Sequence, residues 1–108
     1  MKNERTMQDK AATANRLARI NQTVAKHYGI GVREIKDPAR PAEIVWPRQV
    51  AMMLAVTDGI IPRLVAEYYG KSRPTVLHAV RMVRSHAELY PTVAETLVEL
   101  AEKMKEAA

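Results

Sequence analysis

The chain has 108 residues, 47% of them hydrophobic, which suffices for a core of its own and allows one domain at most within this length. It contains no cysteine, which excludes disulfides and thiolate metal sites, and it has no apolar run long enough to span a membrane. The formal net charge of +5 is compatible with a polyanionic partner or a solvated basic surface. The charge is unevenly distributed along the chain, since residues 1–87 hold 15 Lys and Arg against 7 Asp and Glu.

The composition is rich in helix-forming residues, and no segment alternates with period two, so we predict an all-α fold. A first helix is predicted over residues 5–28, because Leu17, Ile20 and Val24 recur at helical spacing. Residues 1–15 are predicted to be an N-terminal extension, partly disordered or a frayed helix, ahead of a domain over residues 16–108. The first 20 residues are charged and unlike a signal peptide, which predicts a cytoplasmic protein.

The middle of the chain is divided by proline and glycine. A short helix over residues 32–36 is predicted with Val32 and Ile35 facing inward, followed by a loop through the segment KDPARPAEIVWP. Four prolines each stand where a helix can begin, since the missing N–H is harmless at the first helical position. The predicted starts are Pro47, Pro62, Pro74 and Pro91, and Asp58-Gly59 and Gly70 end the first two of these helices.

The inward faces of these helices follow from their apolar spacing. Trp46 is predicted to cover the core, Tyr68 to lie in it and Tyr69 to be half exposed. The predicted inward residues are Val50, Met53, Leu54, Thr57, Leu64, Val65, Val76 or Leu77, Val80, Val83, Ala87, Val93, Leu97, Leu100, Ala101 and Met104.

The stretch GKSRPTVLHAVR contains the turn between a short helix and a longer one, which is the helix-turn-helix pattern. In that motif the second helix lies in the major groove and its first residues reach the bases. Arg73 can bond guanine bidentately, and Thr75 can bond a base or offer its methyl group to thymine. A helix start prefers acidic residues, so Lys71 and Arg73 there indicate anion binding. The pattern is equally compatible with an ordinary helical hairpin that has a basic surface.

Four segments resemble the C-terminal DNA-binding domain of the bacterial replication initiator DnaA. They are VAKHYGIGVREIK, WPRQVAMMLA, IIPRLVAEYYG and TVLHAVRMV, in the family's order and covering about four fifths of the chain with their connections. The resemblance implies a compact all-α, Trp-repressor-like domain with a helix-turn-helix. The 108 residues contain no Walker A sequence, so we expect DNA binding without an ATPase, as a stand-alone protein.

The resemblance also implies a set of DNA contacts. Arg40 matches the family's minor-groove arginine, and Arg48 and Gln49 match its phosphate-binding pair. Ser72, Arg73, Pro74 and Thr75 stand where the family has Asp-His-Thr-Thr, so only the last residue is kept and we predict a site other than the family's. The full predicted DNA-binding set is Arg40, Arg48, Gln49, Ile61, Pro62, Lys71, Ser72, Arg73, Pro74, Thr75, His78 and Arg81.

We predict a double-stranded DNA-binding protein that is sequence-specific, acts in replication initiation or in the regulation of replication or transcription, and is nucleoid-associated. The changed signature leaves an alternative: a protein-interaction or regulatory module that kept the scaffold and lost site reading. An RNA-binding role lacks an aromatic stacking platform. We predict no catalytic residue, no cofactor, no metal site and no membrane contact. Replication or regulatory proteins are candidate further partners of a monomer or weak dimer.

Overall fold

The computed structural model describes residues 2–38 and 42–106. Within these ranges the chain forms helices and no strand, which confirms the predicted all-α fold. The six helices are α1 (Lys2–Tyr28), α2 (Val32–Lys36), α3 (Ala42–Thr57), α4 (Pro62–Tyr69), α5 (Arg73–Leu89) and α6 (Pro91–Glu106).

Helix α3 is the centre of the domain and packs against each of the other five helices. Its residues 50–55 are all buried, so this helix has no solvent-facing side along that stretch. Met52 and Met53 belong to the core, as their gap-filling role predicts. Around α3 the core is completed by Leu17, Ile20 and Val24 of α1, Ile35 of α2, Val65 and Tyr69 of α4, Val76, Val80 and Val83 of α5, and Leu100 of α6.

The prediction that α3 begins at Pro47 is wrong. The helix begins at Ala42 and Pro47 lies inside it, so the carbonyl of Glu43 receives no helical hydrogen bond at that position. Glu43 is exposed, and water can satisfy that carbonyl. Burial of Ile44 and packing of Trp46 against the core favour the helical turn ahead of the proline over a loop.

The degree of burial of four residues also differs from the prediction. Val32 is 43% exposed because it is the first residue of the short helix α2. Thr57 is exposed because it is the last residue of α3. The two tyrosines of α4 exchange roles: Tyr69 is buried and Tyr68 is half-buried. Tyr68 instead packs on the edge of the core and carries the ammonium group of Lys36 over its ring, 3.9 Å from the centroid.

Helix α1 is continuous from Lys2 to Tyr28, and the predicted boundary at residue 15 remains a prediction. Arg16 ties α1 to the turn before α4, because its Nη2 lies 2.7 Å from Oδ2 of Asp58 and also donates to the Asp58 carbonyl. Gly29 follows α1 with a left-handed φ of 67°, and the helix ends at residue 28 as predicted. The Arg16–Asp58 contact thus fixes α1 to the connection between α3 and α4.

Trp46 covers the core as predicted. Its Nε1 donates to the hydroxyl of Tyr28 at 3.0 Å, and its ring lies 5.0 Å from that of His86. These contacts join α3 to α1 and α5. Across the described ranges, no helix combines the length and apolar character that crossing a membrane would require.

Candidate DNA interface

Helices α4 and α5 are joined by a three-residue turn that glycine makes possible. Gly70 adopts the left-handed conformation, with φ 63° and ψ 36°, and ends α4 as predicted. The N–H of Lys71 then donates to the Ala66 carbonyl at 2.9 Å, which closes the cap. A short helix, a glycine turn and a longer helix are thereby arranged as a helix-turn-helix.

Ser72 is the residue that starts α5. Its extended backbone places the side-chain Oγ to accept the N–H of Thr75 at 3.3 Å, which is a normal N-cap. The same Oγ lies 2.9 Å from Oγ1 of Thr75, so the two hydroxyls are hydrogen-bonded to each other. Pro74 follows at the second helical position, where its missing N–H costs little.

One face of α5 is buried and the opposite face is exposed. Val76, Ala79, Val80 and Val83 pack into the core. The exposed residues at spacings of four, three and four are Pro74, His78, Arg81 and Ser85, and we call them the outer stripe of α5. Sequence reasoning missed Ser85, although it follows Arg81 by four residues and the helical period would have revealed it.

The surface around the turn is strongly basic. The first turn of α5 contains no acidic residue, and Arg73 and Arg81 are exposed. Arg63 and Arg84 are exposed as well, although the sequence reasoning did not select them. None of these four arginines forms an ion pair within the described part of the chain. Their positive charge, together with the N-terminus of α5, faces solvent. Glu67 and Glu88, each four residues after one of these arginines, are exposed and form no ion pair with them in the described chain.

The predicted residues at the start of α4 are also accessible. Ile61 is 50% exposed and Pro62 is half-buried. The Ile61 carbonyl accepts the N–H of Leu64 at 3.0 Å, so the exposed isoleucine is held rigidly at the helix start. Lys71 is half-buried in the turn between the two helices.

Arg48 has a different environment from the other predicted contacts. It is 8% exposed, its Nε donates to the Ile35 carbonyl at 2.6 Å, and its Nη2 donates to the Asp37 carbonyl at 2.8 Å. The guanidinium therefore holds the C-terminal end of α2 and the residue that follows it, and its contact with phosphate remains a prediction. Gln49 is half-buried beside it. Arg40 lies outside the described residues.

A buried polar network joins α4 to α1 and α2. Tyr69 donates its hydroxyl to Oδ1 of Asn21 at 3.1 Å, and Nδ2 of Asn21 donates to the Val32 carbonyl at 3.0 Å. Burial raises the pKa of Tyr69 far above its ordinary value, and the neighbouring Tyr68 raises it further. The neutral hydroxyl is thus the form that joins α1, α2 and α4. Within the described residues, no group of three or more His, Asp or Glu side chains could hold a metal ion.

The helix-turn-helix and its uncompensated basic face define a DNA-binding domain of the helix-turn-helix class. The family model described as bacterial dnaA protein helix-turn-helix matches residues 17–83. The chain therefore belongs to that family, which confirms the resemblance drawn from its sequence.

The chain is also similar to curated proteins named chromosomal replication initiator protein DnaA. The protein of Latilactobacillus sakei is 35% identical over 91 residues, which are 82% of this chain and 20% of the relative. That of Symbiobacterium thermophilum is 32% identical over 91 residues, again 82% of this chain and 20% of the relative. That of Streptococcus equi subsp. zooepidemicus is 43% identical over 68 residues, 61% of this chain and 15% of the relative. The chain spans about a fifth of the length of the first of these relatives.

Proposed function

We propose that this chain binds double-stranded DNA sequence-specifically, with the N-terminal half of α5 in the major groove. The observation that carries the proposal is the uncompensated basic face of α4 and α5, on a helix-turn-helix of the DnaA family. The N-terminus of α5 and the arginines around it attract the phosphate backbone.

The predicted contacts other than Ser72, Pro74 and Thr75 have the following roles in this proposal. Arg73 is exposed at the first turn of α5 and is a bidentate partner for guanine O6 and N7. In the proposed complex, His78 and Arg81 of the outer stripe and Lys71 in the turn contact the adjacent phosphate backbone. Ile61 and Pro62 contact the backbone or bases from α4, Arg48 and Gln49 contact phosphate, and Arg40 enters the minor groove.

The biological setting belongs to the same proposal. The similar proteins are named as chromosomal replication initiators, and we propose that this chain acts on DNA in replication initiation or its regulation. It would do so at the nucleoid in the cytoplasm, without ATP hydrolysis by these 108 residues, as a monomer or weak dimer, and with replication or regulatory proteins as further partners.

The test is selection of bound duplexes from a random pool, followed by affinity measurements on the enriched sequence. Replacing Arg73→Ala is expected to cost about 1–3 kcal/mol and to relax the preference at one guanine. Arg19→Ala is the matched control, because Arg19 is also an exposed arginine and lies on the groove between α1, α3 and α6. If Arg73→Ala and Arg19→Ala weaken binding equally, the effect is one of net charge and Arg73 reads no base.

The alternative, an interaction module that lost site reading, rests on the change from Asp-His-Thr-Thr to Ser72-Arg73-Pro74-Thr75. It predicts that no sequence is enriched and that binding to duplex DNA is no stronger than exchange on an unrelated polyanion. Heparin at the same charge concentration provides that comparison.

A further inference from the structure

A groove lies between α1, the C-terminal end of α3 and the C-terminal end of α6, and we call it the α6 groove. Its volume is about 440 Å³, which is within the range of sites that hold a small ligand or a few side chains. None of the described residues that line it belongs to α4 or α5. The α6 groove is therefore built separately from the candidate DNA interface.

The floor of the α6 groove is apolar. Ile20 of α1 and Leu54 of α3 belong to the core and are 2% and 4% exposed, so both are fixed by packing. Ala101 and Met104 of α6 complete the floor and are half-buried. Methionine adapts its shape to a neighbouring side chain, and none of the four floor side chains offers a strong hydrogen-bond donor or acceptor. The floor therefore accepts an apolar group.

The rim of the α6 groove is positively charged. It carries the cations Arg16, Arg19 and Lys105 against one carboxylate, Asp58, which leaves a formal excess of two positive charges. Arg16 is occupied by Asp58, since its Nη2 lies 2.7 Å from Oδ2 of that residue. Arg19 and Lys105 are exposed and form no ion pair in the described chain. These two side chains are therefore available to carboxylates of another molecule.

An apolar floor beside unpaired cations fits a ligand that has both an apolar group and negative charge. Nucleic acid presents its phosphates without an apolar side chain that could fill the floor, whereas an acidic amphipathic polypeptide has both. We propose that the α6 groove binds a segment of another protein in which a large apolar side chain is flanked by Asp or Glu. Because α4 and α5 take no part, this protein and duplex DNA can be bound at the same time. The inference adds a docking surface for the further partners proposed above and does not depend on base reading.

The probe is a fluorescently labelled synthetic peptide of leucine and glutamate, with the leucines spaced three and four residues apart so that they share one helical face. Its fluorescence anisotropy is measured against the full chain. We expect saturable binding that weakens with added salt, because the cations of the rim are exposed. Replacing the leucines by serine removes the group for the floor, and replacing the glutamates by lysine reverses the charge. Each of these two peptides should bind more weakly than the original.

Charge reversal at the rim assigns the binding site. Arg19→Glu is expected to weaken peptide binding about fivefold, because it turns one weak exposed attraction into a repulsion. Adding Lys105→Glu should weaken it further, and the double variant should bind the lysine peptide more tightly than wild type does. Arg33→Glu is the matched control, since Arg33 is an exposed arginine of α2 that does not line the groove, and this variant should bind like wild type. All three positions are exposed, and thermal unfolding checks that the variants fold as wild type does.

Three results would overturn the proposal. Equal losses in Arg19→Glu and Arg33→Glu would show an effect of net charge alone. A loss in Arg73→Glu with no loss in Arg19→Glu would place the peptide on the basic face of α5. Sedimentation of the chain without peptide that finds a dimer, lost in Arg19→Glu, would mean that a second copy occupies the groove.

The same variants separate this inference from the proposed DNA binding. Arg19→Glu and Arg33→Glu change the net charge equally and lie outside α4 and α5, so both should bind an enriched duplex with the same affinity. If the peptide does not bind while a duplex sequence is enriched, the α6 groove proposal is wrong and DNA reading stands. If the peptide binds in the expected manner and no sequence is enriched, the groove stands and the proposed DNA reading is wrong.

Discussion

The hydroxyl of Tyr69 in α4 donates to Oδ1 of Asn21 in α1, across 48 residues of sequence. Asn21 also connects α1 to α2, because its Nδ2 donates to the Val32 carbonyl. Both side chains are 2% exposed, so the bond is shielded from water. The first helix of the helix-turn-helix is thereby fixed to the N-terminal helix by a hydrogen bond as well as by apolar packing.

Replacing Tyr69→Phe is expected to lower the free energy of unfolding by about 1–3 kcal/mol, because Oδ1 of Asn21 is left buried without a donor. The measurement is urea denaturation at neutral pH. Tyr90→Phe is the matched control, since Tyr90 is 52% exposed and its hydroxyl has no hydrogen bond in the described chain; its effect should be close to zero. Equal stability of Tyr69→Phe and wild type would contradict the importance of the network.

Alkaline pH is expected to destabilise the fold. Burial raises the pKa of Tyr28, Tyr68 and Tyr69, whereas in the unfolded chain tyrosine ionises near a pKa of about 10. Above that pH the unfolded state releases protons that the folded state retains, so the free energy of unfolding falls as pH rises. This contribution is fully present below about pH 10, the pKa of tyrosine in the unfolded chain.

Tyr69→Phe provides the comparison for this pH dependence. The variant lacks the most strongly shifted tyrosine, so its stability should decline less steeply above about pH 10 than that of the wild type. Denaturation at several pH values, from neutrality to above about pH 10, measures the slope for the variant and for the wild type. Parallel slopes would show that Tyr69 does not contribute to alkaline unfolding.

Arg48→Lys tests whether the buried guanidinium stabilises the fold. Lysine keeps the charge, but it cannot bond the Ile35 and Asp37 carbonyls with the geometry of the guanidinium fork. We expect a loss of about 1.5–3 kcal/mol in the free energy of unfolding, the range for hydrogen bonds made by a charged group. Gln49→Ala, at the half-buried neighbour with no side-chain hydrogen bond in the described chain, should be nearly neutral. A lysine variant as stable as wild type would favour a role in phosphate binding alone.

Gly70→Ala is expected to destabilise the protein by about 1–2 kcal/mol, because a Cβ is unfavourable in the left-handed conformation. A Cβ at Gly70 would meet no atom within 4 Å, so the cost is one of backbone conformation and not of a clash. Gly70→Asn should cost less, since asparagine tolerates this conformation better. Thermal unfolding of both variants ranks them, and alanine equal to asparagine would be the contrary result.

Most helices could be predicted from local signals. Glycine with positive φ ends α1 and α4, and prolines 62, 74 and 91 stand in the first turn of their helices. Pro47 misled the prediction because the packing of Ile44 and Trp46, which stabilises the turn before it, cannot be read from local spacing. Tyr68 and Tyr69 are adjacent on a helix of eight residues, too short for the apolar period to decide which one faces inward.

The candidate interface could be predicted in part. The exposed positions of His78 and Arg81 agree with the helical period, and Arg73 is exposed at the start of α5. Arg48 does not follow this pattern, because a charged residue normally indicates a surface and its two main-chain acceptors lie 13 and 11 residues away in sequence. The Ser72–Thr75 bond likewise depends on side-chain geometry that spacing suggests but does not determine.

Trp46 has a practical consequence for studying this protein. It is the only tryptophan in the chain, and it contacts Tyr28 and His86 at the meeting point of three helices. His86 lies near the C-terminal end of α5, fourteen residues after Ser72. The fluorescence of Trp46 therefore reports the packing of these helices against one another. An emission spectrum that shifts on denaturation and stays constant on adding duplex would report folding in an unlabelled sample without interference from DNA binding.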